Sequence, residues 1–168
     1  GGNNSSTTFS GVIENGSGTL NLIKAGTLIF TLSGLSTYTG LTTINTGTIA
    51  LGAAGDGTNS PLGTIAGGTT VNTGAVLNVN GITLSTSEPL ALNGTGIAAA
   101  GALINGSATL SADYSGLITL ESASSIVATT AARELNITNP GTIVGAGFGL
   151  TLGGAGIGTI SSIIGTGT

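Results

Sequence analysis

Short segments in which apolar and polar residues alternate recur along the whole chain. Clear examples are Leu77-Asn78-Val79, Ala108-Thr109-Leu110 and Leu135-Asn136-Ile137. Alternation with a period of two is typical of half-buried β-strands, whereas an amphipathic helix repeats about every 3.6 residues. Turn-forming pairs such as Asn80-Gly81 and Asn93-Gly94 separate the segments, and both residue types tolerate the positive φ of tight corners. The pattern therefore predicts an all-β fold.

An internal repeat narrows the choice among all-β folds. Thr42-Thr43-Ile44-Asn45-Thr46-Gly47 recurs 27 residues later as Thr69-Thr70-Val71-Asn72-Thr73-Gly74. Repeat spacings of roughly 20 residues or more suit a solenoid whose coils stack in parallel, while a sandwich favours turns every 8–12 residues. We expect a single-domain parallel β-helix of roughly eight coils. It would span residues 9–168, with residues 1–8 as a flexible polar arm.

The composition excludes several classes of function. The chain has no Cys and no His, so it can build no zinc finger, iron–sulfur site, disulfide framework, Ser-His-Asp triad or Cys-His pair. Its only basic residues are Lys24 and Arg133, and its net charge is −4. Binding to nucleic acid or docking to an anionic membrane needs clustered basic residues, so neither is expected. No apolar stretch approaches the roughly 18 residues of a membrane span.

One part of the chain resembles a known repeat. It consists of four consecutive segments, Phe30-Thr31-Leu32-Ser33-Gly34, Ser36-Thr37-Tyr38-Thr39-Gly40, Thr42-Thr43-Ile44-Asn45 and Gly47-Thr48-Ile49-Ala50-Leu51-Gly52. Together these segments closely resemble the passenger-associated strand repeat of bacterial autotransporter-type surface proteins. Looser similarity covers most of the remaining chain. One departure is Leu28, where the family pattern has glycine.

The resemblance implies a right-handed parallel β-helix that is secreted or displayed at the bacterial cell surface. In this family such a helix serves as a stalk or scaffold. The resemblance implies no enzymatic activity and no cofactor, because solenoids host many unrelated functions.

The two ends of the chain also resemble each other. Thr8-Phe9-Ser10-Gly11-Val12-Ile13 matches Thr159-Ile160-Ser161-Ser162-Ile163-Ile164 at an offset of 151 residues. The terminal coils of a solenoid need polar caps, and neither end of this sequence supplies one. We therefore expect either a module of a tandem array or a subunit that stacks on copies of itself. The predicted interface residues are Phe9, Val12, Ile13, Ile160, Ile163 and Ile164, and Phe9→Asp or Ile163→Asp should abolish assembly.

Two alternative functions remain open at this stage. Asp113 and Glu134 lie 21 residues apart, so neighbouring coils could form the carboxylate pair of a polysaccharide-degrading enzyme. A binding surface for carbohydrate, with Tyr38 and Tyr114 as stacking platforms, or for ice, with a grid of outward threonines, is the other alternative. An ice-binding grid needs the same threonine pair on successive coils, and beyond Thr69-Thr70 such pairs do not recur at coil spacing. The sequence thus favours a non-enzymatic structural protein.

Overall fold

The computed structural model describes residues 5–167. Within this range the chain forms nineteen short β-strands and one single-turn 3-10 helix, Ile97–Ala99. In chain order the strands are β1 (Thr7–Phe9), β2 (Leu22–Lys24), β3 (Ile29–Leu32), β4 (Thr42–Ile44), β5 (Gly47–Leu51), β6 (Asn59–Ser60), β7 (Gly63–Thr64), β8 (Thr69–Val71), β9 (Ala75–Asn78), β10 (Thr83–Leu84), β11 (Leu90–Leu92), β12 (Leu103–Asn105), β13 (Ala112–Tyr114), β14 (Ile118–Leu120), β15 (Ser124–Ala128), β16 (Leu135–Ile137), β17 (Thr142–Val144), β18 (Leu150–Gly153) and β19 (Ile163–Gly165).

Two seven-stranded parallel sheets form two sides of a solenoid. Sheet A has the order β1-β3-β5-β9-β12-β15-β18, and sheet B has the order β2-β4-β8-β11-β14-β17-β19. Each coil contributes one strand to each sheet, so the described chain winds through about seven coils, one fewer than expected. Coil length varies, since Leu32 pairs with Leu51 after 19 residues and Ile49 pairs with Leu77 after 28. The predicted parallel β-solenoid is confirmed.

A third, less regular side closes each coil. Strands β10, β13 and β16 pair in parallel there, and a bridge from Ile137 to Ile160 carries the stack into the last coil. In the third coil the short antiparallel pair β6-β7 takes the place of a parallel strand. We call this side the third face.

Apolar residues stack in columns along the interior. In sheet A one column runs through Phe30, Ile49, Leu77, Leu103 and Ile126. A second column, in sheet B, consists of Ile44, Val71, Leu92 and Leu120. Except for the half-buried Phe30, all of these side chains are buried, and their removal from water is the main stabilising term of the fold.

Two details of the fold, the start of the solenoid and one predicted strand, differ from the sequence-based expectation. Strand β1 pairs Thr7 with Phe30 and Thr8 with Thr31, so the solenoid already includes two residues of the predicted arm. Residues 1–4 of that arm lie outside the described part. The predicted strand Ala108-Thr109-Leu110 is a loop, because the Ser107 hydroxyl accepts hydrogen bonds from the backbone N–H groups of Thr109 (3.3 Å) and Leu110 (3.0 Å). A serine that binds the backbone in this way competes with strand pairing.

Candidate functional site

The first coil presents an open end of the apolar interior. Phe9 stacks on Leu32, but Phe9 is 38% exposed whereas Leu32 is 1% exposed. Ile13 lies on the third face, where its carbonyl accepts a hydrogen bond from the backbone N–H of Thr37 (2.9 Å). Its side chain packs against the core while remaining half-buried. Side chains whose equivalents are covered in the later coils are therefore accessible at this end.

Lys24 lies in the interior column of sheet B, directly before Ile44. It is buried, and its Nζ donates hydrogen bonds to the carbonyl oxygens of Ala25 (3.1 Å), Gly26 (2.5 Å) and Thr46 (3.1 Å). Burial lowers the pKa of this amine. The sequence analysis did not assign Lys24 to this end, although its position two residues after Leu22 in an alternating segment carried that signal.

A cavity of about 210 Å³ opens between the first two coils. Its lining includes Thr7, Leu22, Lys24, Leu28, Phe30 and Ile49. This end of the solenoid is therefore concave, with a lining that mixes apolar side chains and polar groups, among them one ammonium group.

The last coil presents a second open end. Leu152 stacks on Ile126 and is 50% exposed, and Ile164 stacks on the buried Ile143 and is 51% exposed. A cavity of about 250 Å³ lies between the last two coils. Its lining includes Ile126, Ile137, Leu152, Gly154, Gly156 and Ile160. Glycines replace the bulkier residues of earlier coils on one wall, which leaves this space open.

The six predicted interface residues separate into two groups. Phe9, Ile13, Ile160 and Ile164 continue the interior columns or pack against the core, at one end or the other. Ile163 stacks on Thr142, on the opposite side of the strand from Ile164, and is 65% exposed. Val12 is also exposed. Ile163 therefore belongs to the outer surface of sheet B, and Ile164 is the residue that faces the end.

The match between the two chain ends does not mark equivalent positions. Phe9 lies in sheet A, whereas its counterpart Ile160 lies on the third face. Ile13 lies on the third face, whereas its counterpart Ile164 lies in sheet B. The two segments share only the alternation that every coil shows. In this register the matched segments therefore occupy different sides of the coil.

The candidate carboxylate pair does come together. Asn136 donates from Nδ2 to Asp113 Oδ1 and to Glu134 Oε2, both at 3.0 Å, so these two oxygens lie no more than about 6 Å apart. Thr83 donates to the other oxygen of Asp113 (3.1 Å). Asp113 thus belongs to a polar ladder along the third face, formed by Thr83, Asp113, Asn136 and Thr159, and Glu134 joins this ladder through Asn136.

In the described part of the chain, neither tyrosine is accessible as a stacking platform, and sheet B carries no threonine grid. Tyr38 and Tyr114 are both fully buried, so neither ring is accessible to a sugar. Thr42 and Thr69 point inward, and the outward row of sheet B passes from Thr70 to Ala91. A regular outward pair on successive coils does not form on this face.

Among residues 5–167, no three acidic side chains gather into a group that could hold a metal ion. The one short helix of the described chain is far too short to cross a bilayer. No family model matches the sequence, and neither curated proteins nor solved structures give a significant match.

Proposed function

We propose that this protein is an extracellular structural β-solenoid that extends by end-to-end stacking into a stiff stalk or fibre. The observation that carries the proposal is the pair of open ends, where Phe9, Leu152 and Ile164 are more exposed than Leu32, Ile126 and Ile143, the buried residues on which they stack. The resemblance to the strand repeat of bacterial surface proteins supports a location outside the cell.

The edge strands at the two ends are complementary in direction. Strands β1 and β2 have neighbours on one side only, and so do β18 and β19. All pairings in sheets A and B are parallel, so the last coil of one copy can pair with the first coil of the next in the same sense. Head-to-tail contacts of this kind do not close and generate a filament.

The register of the interior columns fixes which residues would meet. In sheet A the column that begins with Thr7 and Phe30 ends at Leu152 in the last coil. The column that begins with Phe9 and Leu32 lies two residues further along each strand, so it ends at Gly154. Stacking in this register places the Phe9 ring over a residue without a side chain, beside the 250 Å³ cavity. In sheet B the same rule places Leu22 over Ile164.

Charge does not oppose this contact. Residues 154–167 contain no charged side chain, and Lys24 is the only charged residue placed in the interior of the first coil. The contact would bury Phe9, Leu22, Leu152 and Ile164, and burial of apolar surface contributes about 25 cal/mol per Å². Further coils of one longer polypeptide would satisfy the same surfaces, and both arrangements give the same continuous rod.

The test compares two neighbouring isoleucines of β19. Sedimentation velocity of the wild-type chain should show large, concentration-dependent species. Ile164→Asp should remove them, because a carboxylate then enters the interior column, while Ile163→Asp on the outer surface should leave them unchanged. Circular dichroism checks that both variants keep their β-structure. Equal behaviour of the two variants, or a wild-type chain that stays monomeric at every concentration, contradicts the proposal.

A second candidate function is carbohydrate binding along the third face. It is favoured by the half-exposed ladder in which Asp113, Asn136 and Thr159 exchange hydrogen bonds at successive coils. Such a row offers donors and acceptors at a spacing of about 4.8 Å. Retention of the chain on immobilised polysaccharide, lost in Asn136→Ala, would support this candidate.

A further inference from the structure

A stack of polar side chains lies inside the solenoid, between the third face and sheet B. It takes one or more residues from each of coils two to five, and all of its members are buried. They are Tyr38, Thr42, Thr69, Glu88 and Tyr114. Buried polar groups must find hydrogen-bond partners within the protein, so the pairing in this stack decides its effect on stability.

In coil two, the polar side chains of the stack, Tyr38 and Thr42, are fully paired. Thr42 Oγ1 donates to the carbonyl oxygen of Leu62 (3.0 Å). Because this hydroxyl has a single proton, the contact of 2.5 Å between Tyr38 and Thr42 must be a donation from the tyrosine hydroxyl. Thr42 pairs in register with Thr69 on the next coil.

In coils three to five, the stack of Thr69, Glu88 and Tyr114 is incompletely paired. Thr69 Oγ1 donates to Glu88 Oε1 (3.1 Å), and the Tyr114 hydroxyl donates to the backbone oxygen of Glu88 (2.6 Å). Glu88 is 0% exposed, and its Oε2 has no hydrogen-bond partner. An ionised carboxylate with one free oxygen in such a place is unfavourable.

The side chains around Glu88 do not supply a positive charge. The chain has two basic residues. Lys24 already binds three carbonyl oxygens at the first coil, and Arg133 lies between β15 and β16 in the sixth coil, whereas Glu88 lies in the fourth. The ionisable groups that face Glu88 are the phenols of Tyr38 and Tyr114, whose pKa values are raised by burial and by this carboxylate. Burial raises the pKa of Glu88 to about 8, against a smaller lowering by the Thr69 hydrogen bond.

We propose that the folded solenoid holds Glu88 as a neutral carboxylic acid, and that loss of this proton loosens coils three to five. The stack thereby acts as a proton-sensitive element in the middle of the rod. It lies away from both open ends and is independent of the stacking proposed above.

The direction of the pH effect follows from the two states. The unfolded chain releases the Glu88 proton near the ordinary pKa of 4.5, and the folded chain releases it near 8. Between these values the folded state binds one proton more than the unfolded state, so stability falls as pH rises. The stabilisation by the Glu88 proton is fully present below about pH 4.5. Between about pH 4.5 and pH 8 the folding equilibrium constant falls by about tenfold per pH unit, and above about pH 8 it levels off.

The experiment measures denaturant unfolding of the full chain from pH 5 to pH 9. The wild type should lose stability by up to about tenfold in the equilibrium constant per pH unit. Glu88→Gln should lack this component, because the amide keeps an acceptor for Thr69 and cannot ionise. Glu121→Gln, which changes an exposed glutamate, should follow the wild type. The same pH dependence in Glu88→Gln as in the wild type would overturn the proposal.

A spectroscopic measurement keeps the proposal testable if Glu88→Gln fails to fold. Infrared spectroscopy of the wild type at pH 7 should show the carbonyl stretch of one protonated carboxylic acid, which disappears as the pH is raised through about 8. Absence of this band at pH 7 would contradict the proposal directly. Glu121→Gln should retain the band.

Discussion

Thr42 and Thr69 lie side by side on neighbouring coils, and both turn their hydroxyl groups into the interior of the solenoid. Thr42 joins Tyr38 to the carbonyl of Leu62, and Thr69 binds Glu88. These two threonines therefore act as internal hydrogen-bonding residues and not as surface residues, although threonine is mostly found at protein surfaces.

The Thr42 hydroxyl should contribute measurably to stability. Thr42→Val keeps the shape of the side chain but leaves the Tyr38 hydroxyl and the Leu62 carbonyl without their partner. We expect a loss of about 1–3 kcal/mol in the free energy of unfolding, measured by denaturant titration. Thr43→Val, one residue further on the outer surface of β4, is the control and should change stability by less than about 0.5 kcal/mol. Equal effects of the two substitutions would contradict this role of Thr42.

Gly116 should be intolerant of any side chain. A Cβ at this position would overlap the backbone oxygen of Glu88 on the neighbouring coil, so the two coils would have to separate. Gly116→Ala is expected to lower the melting temperature strongly, with a loss of at least about 1–3 kcal/mol from overpacking. Gly149→Ala meets no atom within 4 Å and should leave the melting temperature nearly unchanged. A Gly116→Ala variant as stable as Gly149→Ala would show that the coils are less closely packed than described.

Asn105 should be one of the most sensitive positions in the chain. It is fully buried in β12, where its Oδ1 accepts from the N–H groups of Gly81 and Ser107. Its Nδ2 donates to the carbonyl oxygens of Leu110 and Glu134. Asn105→Ala removes four hydrogen bonds; the Glu134 carbonyl keeps its bond from the Ala112 N–H, whereas the backbone groups of Gly81, Ser107 and Leu110 lose their side-chain partner. We expect a loss of more than about 3 kcal/mol in the free energy of unfolding.

The matched control for Asn105 is Asn45, an exposed asparagine whose amide side chain contacts Asn72 (2.8 Å). Asn45→Ala should cost less than about 1 kcal/mol, because water replaces the lost partner. Chemical denaturation of both variants under one set of conditions makes the comparison. A smaller loss in Asn105→Ala than in Asn45→Ala would contradict the account.

The solenoid could be predicted from the sequence because its coils repeat a local pattern. The match between the segments beginning at Thr42 and Thr69 predicted a shared environment, and the two strands pair residue for residue. Asn80 and Gly81 were predicted to form a corner, and both adopt positive φ, at 57° and 77°. Alternation and turn chemistry are local properties, so they are readable without knowledge of the fold.

The details of the ends and of the interior could not be predicted in the same way. Whether Ile163 or Ile164 faces inward depends on where β19 begins, and a shift of one residue exchanges the two faces. Glu88 follows Ser87 in a segment without clear alternation, and its burial depends on Tyr114 and Thr69 from other coils. Contacts between distant coils are tertiary properties, and the local pattern does not contain them.

Electron microscopy of the purified chain across a range of concentrations tests the central claim most directly. Stacking of seven coils per copy at about 4.8 Å predicts fibres with an axial repeat of about 34 Å. Ile164→Asp should yield no fibres under the same conditions, and Ile163→Asp should yield fibres like those of the wild type. Discrete short particles of the wild type at every concentration would contradict the claim that the open ends of this solenoid bind each other.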